Sequence, residues 1–247
     1  GTCTTTLLQG TSCTLNVRFA PTVTGIQADI LQLNYNDGAA ATSSTRAITG
    51  NGASPAVITI SGVDPVSFGT LANGSSLDIT FTLQNTGGVP ATTLTGSGLV
   101  APFTFAGGSF PGGAGTCTAT LVPTATCTIV VRFAPTVTGA YPDTIDITYH
   151  DGVGSQTTSR NVIGNGATPA LLSLSDGPLF NFGLVANGGT TAHVFTVSNS
   201  GDVAATAISE IGMVGPFSFL GGSYPGTGGT CGLSLGASAS CLIAVEF

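Results

Sequence analysis

Lysine is absent from this chain, and charge of either sign is scarce: four Arg and eleven acids among 247 residues leave a net charge of −7 with 6% of the residues charged. Each shortage excludes something. Four cations give no basic surface able to neutralise a phosphate backbone, so nucleic acid is not an expected partner. Without Lys, no Lys-to-Asn or Lys-to-Asp isopeptide crosslink can form. Exposed helical faces normally lean on Glu, Lys, Arg and Gln, so a helix-rich fold is disfavoured. No uninterrupted apolar run approaches the roughly 18–20 residues that a membrane-spanning helix needs. A G-x-S-x-G elbow, an HExxH pair and an acid cluster around either histidine are also missing. The chain is therefore not expected to be an enzyme, and nothing in it calls for a cofactor.

Gly, Thr, Ser and Ala take the space, and they repeat. The nonapeptide VRFAPTVTG occurs at Val17–Gly25 and again at Val131–Gly139. Sliding the chain on itself by 114 residues aligns Tyr35, Asp37 and Gly38 with Tyr149, Asp151 and Gly152, and Phe68 and Gly69 with Phe182 and Gly183. Asn85 and Gly87 fall on Asn199 and Gly201, and Pro102 and Phe103 on Pro216 and Phe217. A fixed period of this size is one domain.

Within a period the pattern is one short strand after another. LDITFTLQNTG from Leu77 alternates apolar with polar residues and closes on a turn signal. TCTIVVRFAPT from Thr126 places Cys127, Ile129, Val131 and Phe133 on one face and Thr128, Val130 and Arg132 on the other, and Pro135 then stops the strand. DTIDITYHDG from Asp143 runs to an Asp-Gly hairpin signal. About seven strands per period with no helical stripe predict an all-β fold, tandem immunoglobulin-like β-sandwich domains with a 114-residue repeat. The seam falls at GNGASPA and GNGATPA, giving the rear of one repeat at 1–52, a complete repeat at 53–166 and the front of a third at 167–247.

The stretches FGTLANGSSLDITFTLQNTG and FGLVANGGTTAHVFTVSNSG, followed by Cys, about ten residues, Cys and VRFAPTVTG, resemble the immunoglobulin-like repeats of bacterial surface proteins called choice-of-anchor D, related to the ASPM-SPD-2-Hydin type of domain. The resemblance spans the whole chain and implies a cell-surface spacer or scaffold. Glu246 departs from it, standing where the other copies carry Arg18 and Arg132.

Six cysteines fall in three pairs of equal spacing, Cys3 with Cys13, Cys117 with Cys127 and Cys231 with Cys241. Each pair brackets an expected hairpin whose arms would set the sulfurs across from one another, which predicts one disulfide per repeat. Zinc is the rival reading, but the spacing is not that of paired CxxC ligands and no His recurs beside them. Disulfides in every repeat point to an extracellular or cell-surface setting.

Other candidates read as structural. His150 corresponds to Asn36 and His193 to Ile79, so neither belongs to a repeated site. Asp143 and Asp146 lie three apart on an extended strand and are expected on opposite faces. Asp37 and Asp151 read as turn residues; calcium at a junction is the alternative, without the acid-rich loops that usually hold it. The Gly-rich segments FAGGSFPGGAGTC and FLGGSYPGTGGTC lack a Lys and a following helix, so they are not phosphate loops. Their Phe110 and Tyr224 are the candidates for a contact loop, stacking on a sugar or a neighbouring subunit, with packing over the open end of the sandwich as the plainer reading. Asn73 opens an Asn-Gly-Ser sequon that Asn187 does not share.

The sequence thus predicts a non-enzymatic structural region of an extracellular filament or stalk, whose partners are neighbouring repeats or further copies of itself. An adhesin that binds glycans or partner cells through the aromatic loops is the alternative, and a spacer beside a catalytic domain a third. Both ends fall inside a repeat, for which a window from a longer array is the expectation. Strand donation between chains is the other reading, in which residues 1–19 and 229–247 compete for one place.

Overall fold

The computed structural model describes residues 1–210 and 212–247. All of its regular elements are strands, and among the described residues no helix is long and apolar enough to cross a membrane. Residues 1–19 form no strand. The chain then makes a long hairpin, β1 (Gly25–Asn36) antiparallel to β2 (Ala41–Gly52). At its tip Asp37 Oδ1 accepts the amides of Ala39 and Ala40, both at 2.8 Å, the side-chain-to-backbone bonding that makes Asp a turn residue.

Nine strands follow: β3 (Ile58–Ile60), β4 (Val66–Ala72), β5 (Leu77–Asn85), β6 (Ala91–Ser97), β7 (Phe103–Phe105), β8 (Thr120–Leu121), β9 (Thr126–Phe133), β10 (Gly139–His150) and β11 (Ser155–Ala167). They form two sheets, in the orders β3-β5-β9-β7 and β4-β11-β10-β6-β8. Phe81, Leu83, Ile129 and Phe133 of the first sheet and Phe68, Ile145, Ile147 and Val162 of the second close into one buried cluster. The unit is a two-layer β-sandwich. The alternation in β9 fills the core as the sequence pattern predicts, with Ile129, Val131 and Phe133 fully buried. At about 1.5–3 kcal/mol for each large apolar side chain, this burial is the main stabilising term.

Two glycines shape that core. β4 runs parallel to β11, and its register steps from Ser67 opposite Ile163 to Thr70 opposite Asn165. Gly69 takes φ +72° inside this bulge, a conformation glycine adopts without penalty, and Phe68 beside it is buried in the core. Opposite, a Cβ on Gly164 would stand 2.7 Å from the Phe133 ring. The bare backbone there leaves room for that ring to stack on Phe103, with centroids 4.6 Å apart.

The remaining strands are β12 (Leu172–Leu174), β13 (Ala192–Asn199), β14 (Ala205–Thr206), β15 (Ser218–Phe219), β16 (Ser234–Leu235) and β17 (Ser240–Glu246). One sheet, β12-β13-β17-β15, has the same strand order as β3-β5-β9-β7, while β14 and β16 pair alone. Residues 180–186 form no strand. In the central sandwich the corresponding β4 is held by β11, and no strand plays that part here. The stripped second layer leaves apolar side chains in solvent: Leu174 is 62% exposed and Phe217 40%, against 5% for Ile60 and 1% for Phe103 at the equivalent places.

Candidate functional site

The cysteines are joined as Cys3–Cys13, Cys117–Cys127 and Cys231–Cys241, with Cα atoms 4.8, 4.8 and 4.9 Å apart and no free thiol. The segments 117–127 and 231–241 are not the hairpins that the sequence predicts, since each pairs instead with another strand, β8 with β6 and β16 with β14. β8, inside the 117–127 segment, pairs with β6 in the second sheet, whereas Cys127 lies in β9 of the first. The bond therefore ties the point where the chain leaves one sheet to the point where it re-enters it after visiting the other. Hydrophobic Leu121 is the reason: it buries itself in the core from β8 and draws the segment across the sandwich.

The Gly-rich loop ahead of Cys117 has a structural task. β7 covers the edge of β9 only as far as Val131, and beyond it the loop continues the hydrogen bonding. The amide of Ala106 donates to the carbonyl of Val130 at 2.9 Å, Val130 donates to Pro111 at 2.8 Å, and Thr116 donates to Thr128 at 2.9 Å. An otherwise open strand edge is sealed by irregular backbone. Leu220, Ala244, Pro225, Thr230 and Leu242 repeat the same bonds 114 residues on. Val130, expected on the outer face, is buried as well, because the loop at Gly112 lies over it. Phe110 and Tyr224 are half-buried, set edge-on to Phe105 and Phe219 with centroids 5.7 and 5.5 Å apart.

Buried polar groups mark the places where the two sheets are stitched. Asn85 and Asn199 are 0% and 2% exposed. Asn85 Oδ1 accepts the amide of Gly87 at 2.9 Å and that of Val57 at 3.3 Å, while its Nδ2 donates to the carbonyls of Val89 and Leu121, both at 2.9 Å. Asn199 binds Gly201, Leu171, Val203 and Leu235 in the same way. The Tyr149 hydroxyl accepts the amide of Ile58 at 3.2 Å, and Arg160 donates from its guanidinium to the carbonyl of Ile60. The signal for the Asn pair was present as a recurrence in QNTG and SNSG, but their inward direction was not legible.

The ionisable groups are spent on structure. Hydrogen bonds from the Gly154 and Val153 amides hold the Asp151 carboxyl below its ordinary value. The Arg132 guanidinium, bonded at 2.7 and 2.8 Å, does the same for Asp78. Asp143 accepts the amides of Val100 and Thr144, and Asp146 accepts the Ser159 hydroxyl, so the two do not share a partner. His193 has an acid that sequence proximity did not reveal: its Nε2 lies 3.0 Å from Asp176 Oδ2, and its ring stacks on Phe180 with centroids 3.8 Å apart. That bond, with a second from Ser175, lowers the Asp176 carboxyl. Glu246, in the place of Arg132, accepts the Ser218 hydroxyl at 2.9 Å. Among the described residues no group of three or more His, Cys, Asp or Glu is placed to hold a metal ion.

A cleft of about 600 Å³ lies where the hairpin meets the central sandwich, lined by Pro21, Val23, Asn51, Pro55, Val89 and Val153 among others. Its acid is Asp151, whose oxygens are taken by Val153, Gly154 and Gln156. Thr22, Thr24 and Ser54 also line it, and its lining contains no His, Cys, Lys or Glu to act beside them.

No protein-family model matches the chain, and no curated protein does. Among solved structures it is similar to the ASH/PapD-like domain of human CEP192 (PapD-like domain 7), at 19% identity over 45% of this chain and 86% of that one, with a TM-score of 0.34. It is also similar to the Vibrio cholerae VesB protease, at 18% identity over 44% of this chain and 31% of the other, TM-score 0.35. A protein of unknown function from Porphyromonas gingivalis W83 is similar over 76% of this chain and 82% of its own at 11% identity, TM-score 0.34. At these TM-scores none of the likenesses bears on what the chain does.

Proposed function

We propose that the chain is a non-enzymatic structural region of an extracellular or cell-surface stalk or filament, built of immunoglobulin-like sandwiches in tandem with a 114-residue repeat. The repeats are 1–52 in part, 53–166 complete and 167–247 in part. One observation carries the reading. The same devices recur at one fixed interval: a disulfide between sheet exits, a Gly-rich loop sealing a strand edge, and a buried Asn binding four backbone groups. Each is a device of stability, and none presents a reactive group. Three disulfides in a chain of this size suit an oxidising compartment, and the low charge limits repulsion between neighbouring copies.

Small-angle scattering of the purified chain tests the proposal. A rod-like profile with a cross-section of one sandwich is expected; a profile of one collapsed globule, or hydrolytic activity that survives purification to homogeneity, would overturn it.

A further inference from the structure

Two neighbouring residues at the end of the central sandwich are bonded in opposite directions. β11 ends at Ala167, which lies opposite Ala72 of β4 and is 4% exposed. The Ala167 carbonyl accepts the amide of Asn73 at 2.8 Å. That turn is itself tied to the central sandwich, since Asn73 Nδ2 donates to the Thr138 hydroxyl at 3.1 Å and the Gly74 amide to the carbonyl of Pro135 at 2.8 Å. Thr168 is held from the other side. Its amide donates to Asp202 Oδ2 at 3.3 Å and its hydroxyl to the same oxygen, while the Asp202 amide returns a bond to the Thr168 carbonyl at 3.1 Å.

The carbonyl of Ala167 and the amide of Thr168 are two edges of one peptide group, which is planar and stiff. The central sandwich therefore grips one edge of that plane and the strands that follow grip the other, with no residue left free between them. Pro169 removes more freedom, because its ring fixes its own φ and confines Thr168 to extended backbone.

We propose that this peptide group is a locked joint between successive repeats and that Asp202 is its latch, the residue that positions the following repeat against the central one. The proposal rests on the reading of the chain as tandem repeats. A single exposed hydrogen bond would be a weak latch, but here two residues exchange several, and those to the carboxylate are charge-assisted.

The preceding joint shows what the latch adds. Ser54 is the counterpart of Thr168 and Gly88 that of Asp202. The backbone half of the grip is kept, with the Gly88 amide donating to the Ser54 carbonyl at 3.1 Å, but glycine offers no carboxylate to the Ser54 amide. A Cβ on Gly88 would stand 2.9 Å from Ser54 Oγ and 3.0 Å from its amide nitrogen, so an Asp there faces the same two groups that Asp202 binds. One position, Asp or Gly, thus sets the stiffness of each joint.

Double electron–electron resonance on the full chain, its disulfides intact, reads the joint. Spin labels at Thr80→Cys and Val194→Cys, exposed and 114 residues apart on β5 and β13, report the separation of the two bodies. A narrow distance distribution is expected, widening about twofold in Asp202→Ala as the charge-assisted bonds are lost. It is expected to stay narrow in Asp202→Asn, whose side-chain oxygen still accepts the Thr168 amide. Labels at Ser43→Cys and Thr80→Cys read the preceding joint, where Gly88→Asp is expected to narrow the distribution. A width unchanged in Asp202→Ala, a width increased equally in Asp202→Asn, or no narrowing in Gly88→Asp would overturn the proposal. The outcomes separate the two readings: an unchanged width in a rod-like chain sinks the latch alone, and the expected widening in a chain that scatters as one globule sinks the stalk alone.

Discussion

Asn85 Nδ2 and the carbonyl of Leu121 lie 2.9 Å apart across the interior of the central sandwich, joining the last residue of β5 in one sheet to β8 in the other. The amide is fully buried, where water cannot substitute for a lost partner. Its four bonds fix both the turn that follows β5 and the depth to which the 117–127 segment sinks.

Replacing Asn85 with Leu removes those partners together and leaves the Gly87 and Val57 amides and the Val89 and Leu121 carbonyls without them. At about 1–3 kcal/mol for each buried group left unsatisfied, a loss of at least about 3 kcal/mol is expected. Asn85→Asp is expected to be nearly as damaging, since it keeps the acceptor but points a carboxylate at two carbonyls. Hydrogen exchange at the Leu83 and Ile129 amides measures both, and protection unchanged in either variant would show that the bridge is not needed.

The aromatic stack supplies a second case. Phe133 is fully buried, with Phe103, Phe68 and Tyr141 around it. Phe133→Ala is expected to cost about 3–5 kcal/mol, the range for deleting a core ring. Gly164→Val is expected to be destabilising from the opposite side by pushing a side chain into the same ring. Calorimetry that found the double variant no worse than either single one would fit a shared site; full additivity would not.

Removing the central disulfide with Cys117→Ala and Cys127→Ala is expected to lower stability by about 2–3 kcal/mol, from the entropy of a loop this short. Both positions are buried, so Ala leaves no exposed gap. Denaturation with reductant present throughout should bring the unsubstituted chain and the variant together, since the other two disulfides then open in both. A difference much smaller than this would mean that the Thr116 and Thr128 bonds beside the disulfide already hold the segment.

Acid acts through the depressed carboxylates. Asp37, Asp78, Asp151 and Asp176 each sit below the ordinary value in the fold. On acidification the unfolded chain takes up these protons first, so the stabilisation is complete above the ordinary Asp value of about 3.9 and is lost as pH falls through the lower folded values. Thermal unfolding is expected to be insensitive to these four groups near neutrality and to shift downward below about pH 4. Asp151→Asn, which keeps an acceptor for the Val153 and Gly154 amides, is expected to flatten that acid limb; an unchanged limb would remove Asp151 from the account.

The strands and the Cys partners were legible because each rests on a local regularity: alternation of period two, and equal spacing of six cysteines. Hairpins between the cysteines were not, because Leu121 is too short a signal to announce that its segment crosses to the other sheet. Val130 was assigned outward by alternation and proved buried, since periodicity knows nothing of a loop folding over a strand. His193 and Asp176, seventeen residues apart, meet only when β13 lies beside the turn at Ser175.

By itself the sequence determined the class of structure, all-β with three equally spaced disulfides, because side-chain alternation and turn chemistry act over a few residues and leave their mark in order along the chain. Tertiary structure decided which carbonyls Asn85 meets, what the Gly-rich loop covers, and where Phe110 and Tyr224 lie. Those contacts join residues far apart in the chain, and only the approach of two sheets brings them within hydrogen-bonding or van der Waals reach.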